Sequence, residues 1–277
     1  MGEGLPTLSV PASDDMTLPV NAAVSSGAPQ RGIVTRFIDA NKRYCRTRLQ
    51  PRLYPVTQMA ALDHWFRRRM LTRPAGGALL EFGCGRTFRL SQLLRDRFSS
   101  LSATDIEDVD LPDVPNGIEF RRCTTDRIPF ADAQFDVVVI RSVIEHLEDP
   151  ETTFSELARV TKPGGAILMN LPNKWDYVSV LAMLTGPLKS RLLKSVVRIE
   201  WDDYPVHYRA NTKRAVTRVA AAARLRVEQF QPLPSQPGYL SFFVPLYILG
   251  ACYQFAISLF GLDVLQPSYV VLMRKDI

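Results

Sequence analysis

The sequence predicts an α/β fold, a mostly parallel sheet flanked by helices, on three observations. Short apolar runs alternate with helix-like segments from Ala78 onward, and alternation of this kind builds parallel strands joined by crossover helices. The first run, ALLEF, enters a Gly-x-Gly turn and leaves into a helical pattern, a strand-to-helix turn whose amides approach a ligand closely. Finally, 277 residues with 46% hydrophobic and 22% charged content are enough for one sizeable core with appendages.

The elements follow in order. Residues 1–32, rich in Pro, Ser, Gly and Ala, read as a disordered leader, without the basic start and apolar core of a secretory signal. Residues 33–74 form an N-terminal helical cap. Ile33, Phe37 and Ala40 recur at helical spacing, as do Met59, Leu62, Trp65 and Phe66, and Pro51 and Pro55 separate the two helices. The main domain, 75–277, carries strand-length apolar runs at 78–82, 101–105, 135–140 and 165–171, with a weaker IEFRR at 118–122. Phe88, Leu90, Leu93 and Leu94 make one helix face between them, and Phe154, Leu157, Ala158 and Val160 make another. Asp149-Pro150 opens the second helix and Lys162-Pro163-Gly164-Gly165 stops it. The Asp- and Pro-rich segment between Asp105 and Ile118 leaves little room for a helix.

The charge is uneven. Between Arg31 and Arg73 stand eleven Lys and Arg against two Asp, an excess larger than the +6 of the whole chain. Such a stretch either attracts an anionic partner or is a solvated helix face. Cys45, Cys84, Cys123 and Cys252 are scattered without metal-like spacing, so reduced thiols in a cytoplasmic protein are expected.

The glycine turn gains meaning from its neighbours. A nicotinamide fingerprint wants a third glycine where this chain has Phe88. Glu81, just before the turn, is awkward beside a pyrophosphate but suits a cationic ligand. Asp105, about twenty residues after the glycines, stands where an acid accepts both hydroxyls of a ribose. Adenosine at one end with ammonium and sulfonium at the other satisfies both acids, which describes S-adenosylmethionine.

LLEFGCG, then ATDI, then IPFADAQFDVVVIRSVIEHLEDPETTFSELARVTKPGGAILMNLPN together resemble class I S-adenosylmethionine-dependent methyltransferases, particularly the small-molecule type of quinone biosynthesis. The resemblance spans about Ala78 to Asn173 and implies a Rossmann-like, seven-stranded, mostly parallel sheet, with LRVEQF and SYVVLMR as its last two strands. It implies that Glu81, Gly83, Cys84 and Gly85 form the cofactor loop and that Asp105 holds the ribose. It further implies that Thr124, Thr125 and Asp126 edge the adenine, and that Arg141 meets the methionine moiety or the substrate. Thr87 stands in place of the family's third loop glycine, and Thr124 in place of its adenine-side acid.

Methyl transfer from a sulfonium is an in-line displacement, so the protein chiefly aligns the acceptor and removes a proton. Of the three histidines, His64 belongs to the N-terminal helices, His146 follows the fourth strand, where the family's active-site mouth lies, and His207 sits in the loop before the late helix. Both are candidate catalytic residues, with a structural imidazole as the alternative for His146. The metal-binding Glu-x-x-Glu-His of some quinone methyltransferases is incomplete, since Ser142 replaces the first acid; no metal is expected. IRSVIEHL also lacks the Asn/Asp-Pro-Pro-aromatic motif of base-modifying enzymes, so no nucleic acid partner is expected.

The segment at about 231–266 is unusual, for no residue from Gln229 to Leu262 is charged. A helix over 245–260 is about 24 Å long, short for a straight membrane span, and the last strand must rejoin the same sheet. The expected role is therefore an interfacial helix, or a cover over the active site. Basic residues Arg191, Lys194 and Arg198 on one face of 188–199 favour an anionic membrane surface, with an oligomer interface or an extra core helix as the alternative. The expected activity is methyl transfer to oxygen of a lipophilic or lipid-linked small molecule by a protein peripheral on the cytoplasmic membrane. A non-catalytic ligand-binding module of the same fold is the rival.

Overall fold

A computed structural model describes residues 32–73, 75–106, 113–124, 126–177, 179–180 and 204–277. The expected leader, Thr125, most of the Asp-rich segment and the basic stretch 188–199 lie outside the described residues.

Helix α1 (Ile33–Tyr44) does not stop before Pro51, as the sequence reading expected. It widens into a π turn at Cys45–Leu49 and continues as α2 (Gln50–Leu53). Pro51 has no N–H for the carbonyl four residues back and crowds it, and a wider turn relieves that clash without ending the helix. The break comes after Leu53, and α3 (Gln58–Leu71) restarts at Thr57, whose hydroxyl accepts the Ala60 amide at 3.1 Å.

Beyond it run β1 (Ala78–Phe82), α4 (Arg89–Leu94), β2 (Ser100–Asp105), β3 (Ile118–Arg122), β4 (Phe135–Arg141), α5 (Pro150–Val160) and β5 (Thr161–Pro172). The chain closes with α6 (Lys213–Ala222), β6 (Leu225–Leu233), α7 (Val244–Leu259) and β7 (Ser268–Lys275). The seven strands form one sheet in the order β3-β2-β1-β4-β5-β7-β6, parallel except for β7. Strand β5 begins four residues earlier than the sequence predicts, because the Lys162–Gly165 segment meant to end α5 is a bulge inside the strand, against Phe135–Val137 of β4.

Strand alternation divides the core in two. Leu80, Val138, Ile140, Ile167 and Met273 point to one face, where Phe154 and Leu157 of α5 and Val216 and Val219 of α6 cover them. Leu79, Val137, Val139, Leu168 and Leu272 point to the other, under Leu62, Phe66 and Met70 of α3 and Leu90 and Leu94 of α4. Successive strands run outward from β1 in one direction and from β4 in the other. The crevice at their carboxyl ends is where open α/β sheets hold ligands.

Candidate active site

The β1–α4 turn is built around two glycines at positive φ. Gly83 has φ +73, and a Cβ there would lie 2.2 Å from Cγ2 of Val143 on the loop after β4. Only glycine fits so close a crossing. Gly85, at φ +53, faces open space, so the outer rim of the loop has room for a ligand. The amides of Gly83 and Cys84 donate to the Thr104 carbonyl of β2 at 2.8 and 3.2 Å, and the Gly85 amide donates to Oδ2 of Asp105 at 2.8 Å. Asp105 thus pins the loop while standing at its edge.

Glu81 is buried, and its two oxygens accept the Leu90 amide at 3.0 Å and the Ser91 amide at 2.8 Å. It clamps the first turn of α4, a use of the carboxylate that the sequence reading had not included. Burial pushes its pKa up, opposed by the Ser91 and Leu90 amides and by the Arg141 charge. Burial also raises the Cys84 thiol, and Asp105 and Glu81 add to the effect; Cys84 packs rather than reacts. The slot expected to hold a third glycine contains Phe88, fully buried in the left-handed region at φ 47.

Arg141 ends β4. Its guanidinium lies 3.2 Å from the Met59 sulfur of α3, near the Arg89–Asp63 ion pair. Burial lowers its pKa, and Arg89 adds to that, against Glu81 and Asp63. Helix α3 therefore roofs this end of the crevice, a contribution no local pattern could reveal. On the other side, Thr124 donates its hydroxyl to Asp126 at 2.7 Å, and the Cys123 amide binds the Asp105 carbonyl at 2.9 Å. The turn that begins there is closed by the Thr124 amide, which donates to the Arg127 carbonyl at 3.2 Å.

The segments that carry His146 and His207 meet beyond the end of β4. The segment 204–209 is laced to the turn after β4 by the His207 and Tyr208 amides, which donate to the Glu145 carbonyl at 2.7 and 3.2 Å. Nδ1 of His146 is 2.9 Å from the Pro205 carbonyl. A carbonyl only accepts, so the proton of neutral His146 sits on Nδ1 and Nε2 carries the lone pair. That Nε2 is 3.9 Å from Glu145, while Nε2 of His207 turns to Glu148 at 3.6 Å. Behind them Tyr208, hydrogen-bonded to Ser179, shares a buried neighbourhood with Glu145 and Asp176, and burial raises the Tyr208 pKa. Asp176, Ser179 and Tyr239 escaped the sequence reading, although Asp176 closely follows the carboxyl end of β5, the one signal that could have flagged it. Among the described residues no three His, Cys, Asp or Glu gather as metal ligands.

Residues 80–169 match a family described as a methyltransferase domain. A probable S-adenosylmethionine-dependent methyltransferase of Mycolicibacterium smegmatis is 34% identical over 129 residues, 43% of this chain and 49% of that protein. A ubiquinone biosynthesis O-methyltransferase of Pseudomonas aeruginosa is 28% identical over 127 residues, 43% and 54% of the two chains. The chain thus spans about half the length of the curated relatives it matches. A solved S-adenosylmethionine-dependent methyltransferase from Mesorhizobium loti shares the fold, with a TM-score of 0.52 at 16% identity over 77% of this chain and 98% of that one. A geranyl diphosphate C-methyltransferase from Streptomyces coelicolor, solved with S-adenosyl-L-homocysteine, aligns with a TM-score of 0.50 at 17% identity, over 79% and 78%. Residues 80–169 thus match a methyltransferase domain, and the seven-stranded sheet that holds them has the Rossmann-like fold of solved S-adenosylmethionine-dependent methyltransferases.

Proposed function

We propose that the protein transfers a methyl group from S-adenosylmethionine to an oxygen of a lipophilic or lipid-linked small molecule, at a membrane surface. The observation that carries the reading is the cradle itself: Gly83 crossing Val143 where no side chain fits, Gly85 open to solvent space, and Asp105 at the rim. Gly83, Gly85 and Asp105 would hold the cofactor, with Asp126 at the adenine side and Arg141 toward the methionine end. When bound, the cofactor supplies an electrophilic methyl group on a sulfonium.

The chain's own part is orientation and proton removal. Arg141, Met59 and the 204–209 segment bound the space in which an acceptor hydroxyl must sit, and Nε2 of His146 can take its proton. Oxygen as acceptor atom is supported by the name of the Pseudomonas relative. Lipophilicity is supported by α7, whose Tyr253 packs edge-on against Tyr177 beside the mouth, with ring centroids 5.6 Å apart. The fold alone does not choose the chemistry, and an available base at the mouth favours turnover over a purely binding role.

Calorimetric titration with S-adenosylmethionine, S-adenosylhomocysteine and NAD tests this. The first two bind with micromolar affinity or better and NAD does not. Asp105→Ala weakens binding by about 1.5–3 kcal/mol, the scale of charge-assisted hydrogen bonds. Unchanged affinity in that variant refutes the ribose assignment. His146→Gln lowers turnover about a hundredfold and leaves cofactor affinity intact.

A further inference from the structure

Helix α7 is turned inside out. Most of its few polar groups face the protein: Gln254, only 6% exposed, donates to Oε1 of Gln266 at 2.7 Å, the exposed Ser258 bonds to both, and Tyr247 is buried, as is Ile257. The opposite stripe puts Leu249 at 64%, Phe255 at 69%, Leu259 at 66% and Phe260 at 73% exposure. A helix in water buries the other face. Such an arrangement is stable only if the outward side meets an apolar medium of its own.

Helix α1 meets the start of α7. The Val244 amide that begins α7 donates to Asn41 of α1 at 3.1 Å. Beside Asn41, Ile33, Phe37 and Tyr44 form an exposed stripe at helical spacing. Arg36 and Arg43 of α1, with Arg46, Arg48 and Arg52 of the π turn and α2, are all exposed and supply a positive rim to this part of the surface. Asp39 and Asp263 are the acidic residues in these segments.

We propose that α1 and α7 form a docking face for an anionic lipid bilayer, with the α7 side chains in the acyl boundary and the arginines on the headgroups. Charge decides among occupants. A second copy on this face would bring another arginine rim to the contact. Residues 187–199 of this chain carry Lys189, Arg191, Lys194 and Arg198 and offer no counter-charge. An anionic bilayer neutralises the rim and demands no shape match. No described helix is long and apolar enough to cross a membrane, and β7 returns the chain to the sheet directly after α7, so α7 lies in the interface. The acceptor then reaches the mouth along the Tyr253–Tyr177 wall, a step that rests on the proposed activity, whereas docking itself does not.

Co-sedimentation with vesicles of phosphatidylcholine, with and without phosphatidylglycerol, tests the docking. The wild-type protein pellets with the anionic vesicles at low salt, less so at high salt as the arginine contribution is screened. Arg36→Gln with Arg43→Gln lowers affinity about twentyfold or more, from about 1 kcal/mol per basic residue at the surface. Phe255→Glu with Leu259→Glu, both outward-facing, abolishes pelleting. Wild-type protein left in the supernatant at low salt overturns the proposal, as does undiminished pelleting of the Glu variant. A dimer in sedimentation velocity that the Glu variant dissociates overturns it too, by assigning the face to self-association. Titrating the same samples with S-adenosylhomocysteine separates the two ideas, since lost docking with intact cofactor affinity leaves the methyltransferase reading standing.

Discussion

Phe88 shows how a single residue departs from an expected motif and what that departure costs. Its positive φ is strained by roughly 1 kcal/mol relative to glycine, yet its ring is fully buried and meets Phe120 edge-on at 5.9 Å between centroids. Losing such a ring costs about 3–5 kcal/mol, so packing outweighs strain. Phe88→Gly is expected to lower unfolding free energy in denaturant titrations despite relaxing the backbone. Gly83→Ala fails for the opposite reason. Its Cβ would sit 2.2 Å from Val143 at φ +73, so S-adenosylhomocysteine binding should fall at least about tenfold, with Val143→Ala restoring it only in part. The gathering of Glu81, Gly83, Gly85 and Asp105 around one turn was legible because local spacing on two adjacent strands puts them there. Asp176 and Met59 were not, because only packing of the whole chain brings them to the crevice.

Elements were most legible where glycine marks the end of a short run, as at Gly77 and Gly83 around β1 and at Gly117 before β3, whose predicted and observed bounds coincide. They were less legible where proline and glycine have two possible uses. Pro51 stands in the first turn of α2, directly after a π turn, and Gly164-Gly165 became a strand bulge. Helix α5 adds a pH-dependent tie. Arg159 binds Glu156 and Asp132 at 2.6 Å and reaches the Ile128 and Phe130 carbonyls, holding the 126–134 loop to the helix. The hydrogen bond from Arg159 depresses the Glu156 pKa, with the Ile128 amide assisting against burial. A carboxyl whose folded pKa lies below its unfolded value of about 4.3 stabilises fully above that value and loses the contribution as pH falls through the folded pKa. Unfolding free energy should therefore drop below about pH 4.5, and Glu156→Gln should flatten that acid limb while lowering stability at neutral pH.

At the scale of the molecule, the crevice draws on β1, β2, β4, the loop after β5, α3 and the 204–209 segment, so filling it should knit these parts together. S-adenosylhomocysteine at a hundred times its Kd should add about 2.7 kcal/mol to stability, seen as a rise in Tm that Asp105→Ala reduces. The sheet itself owes nothing to α7. Leu233 at the end of β6 pairs directly with Ser268 at the start of β7, so everything from Ser235 to Pro267 is, topologically, the connection of one β-hairpin. The entropy of closing such a connection grows only slowly with its length. A tight turn in its place would keep every ladder of the sheet while removing the outward apolar face. The apolar half of the proposed docking face and the cofactor cradle are thus carried by separately exchangeable parts of the chain, and rewriting a single hairpin would remove the one while leaving the other in place.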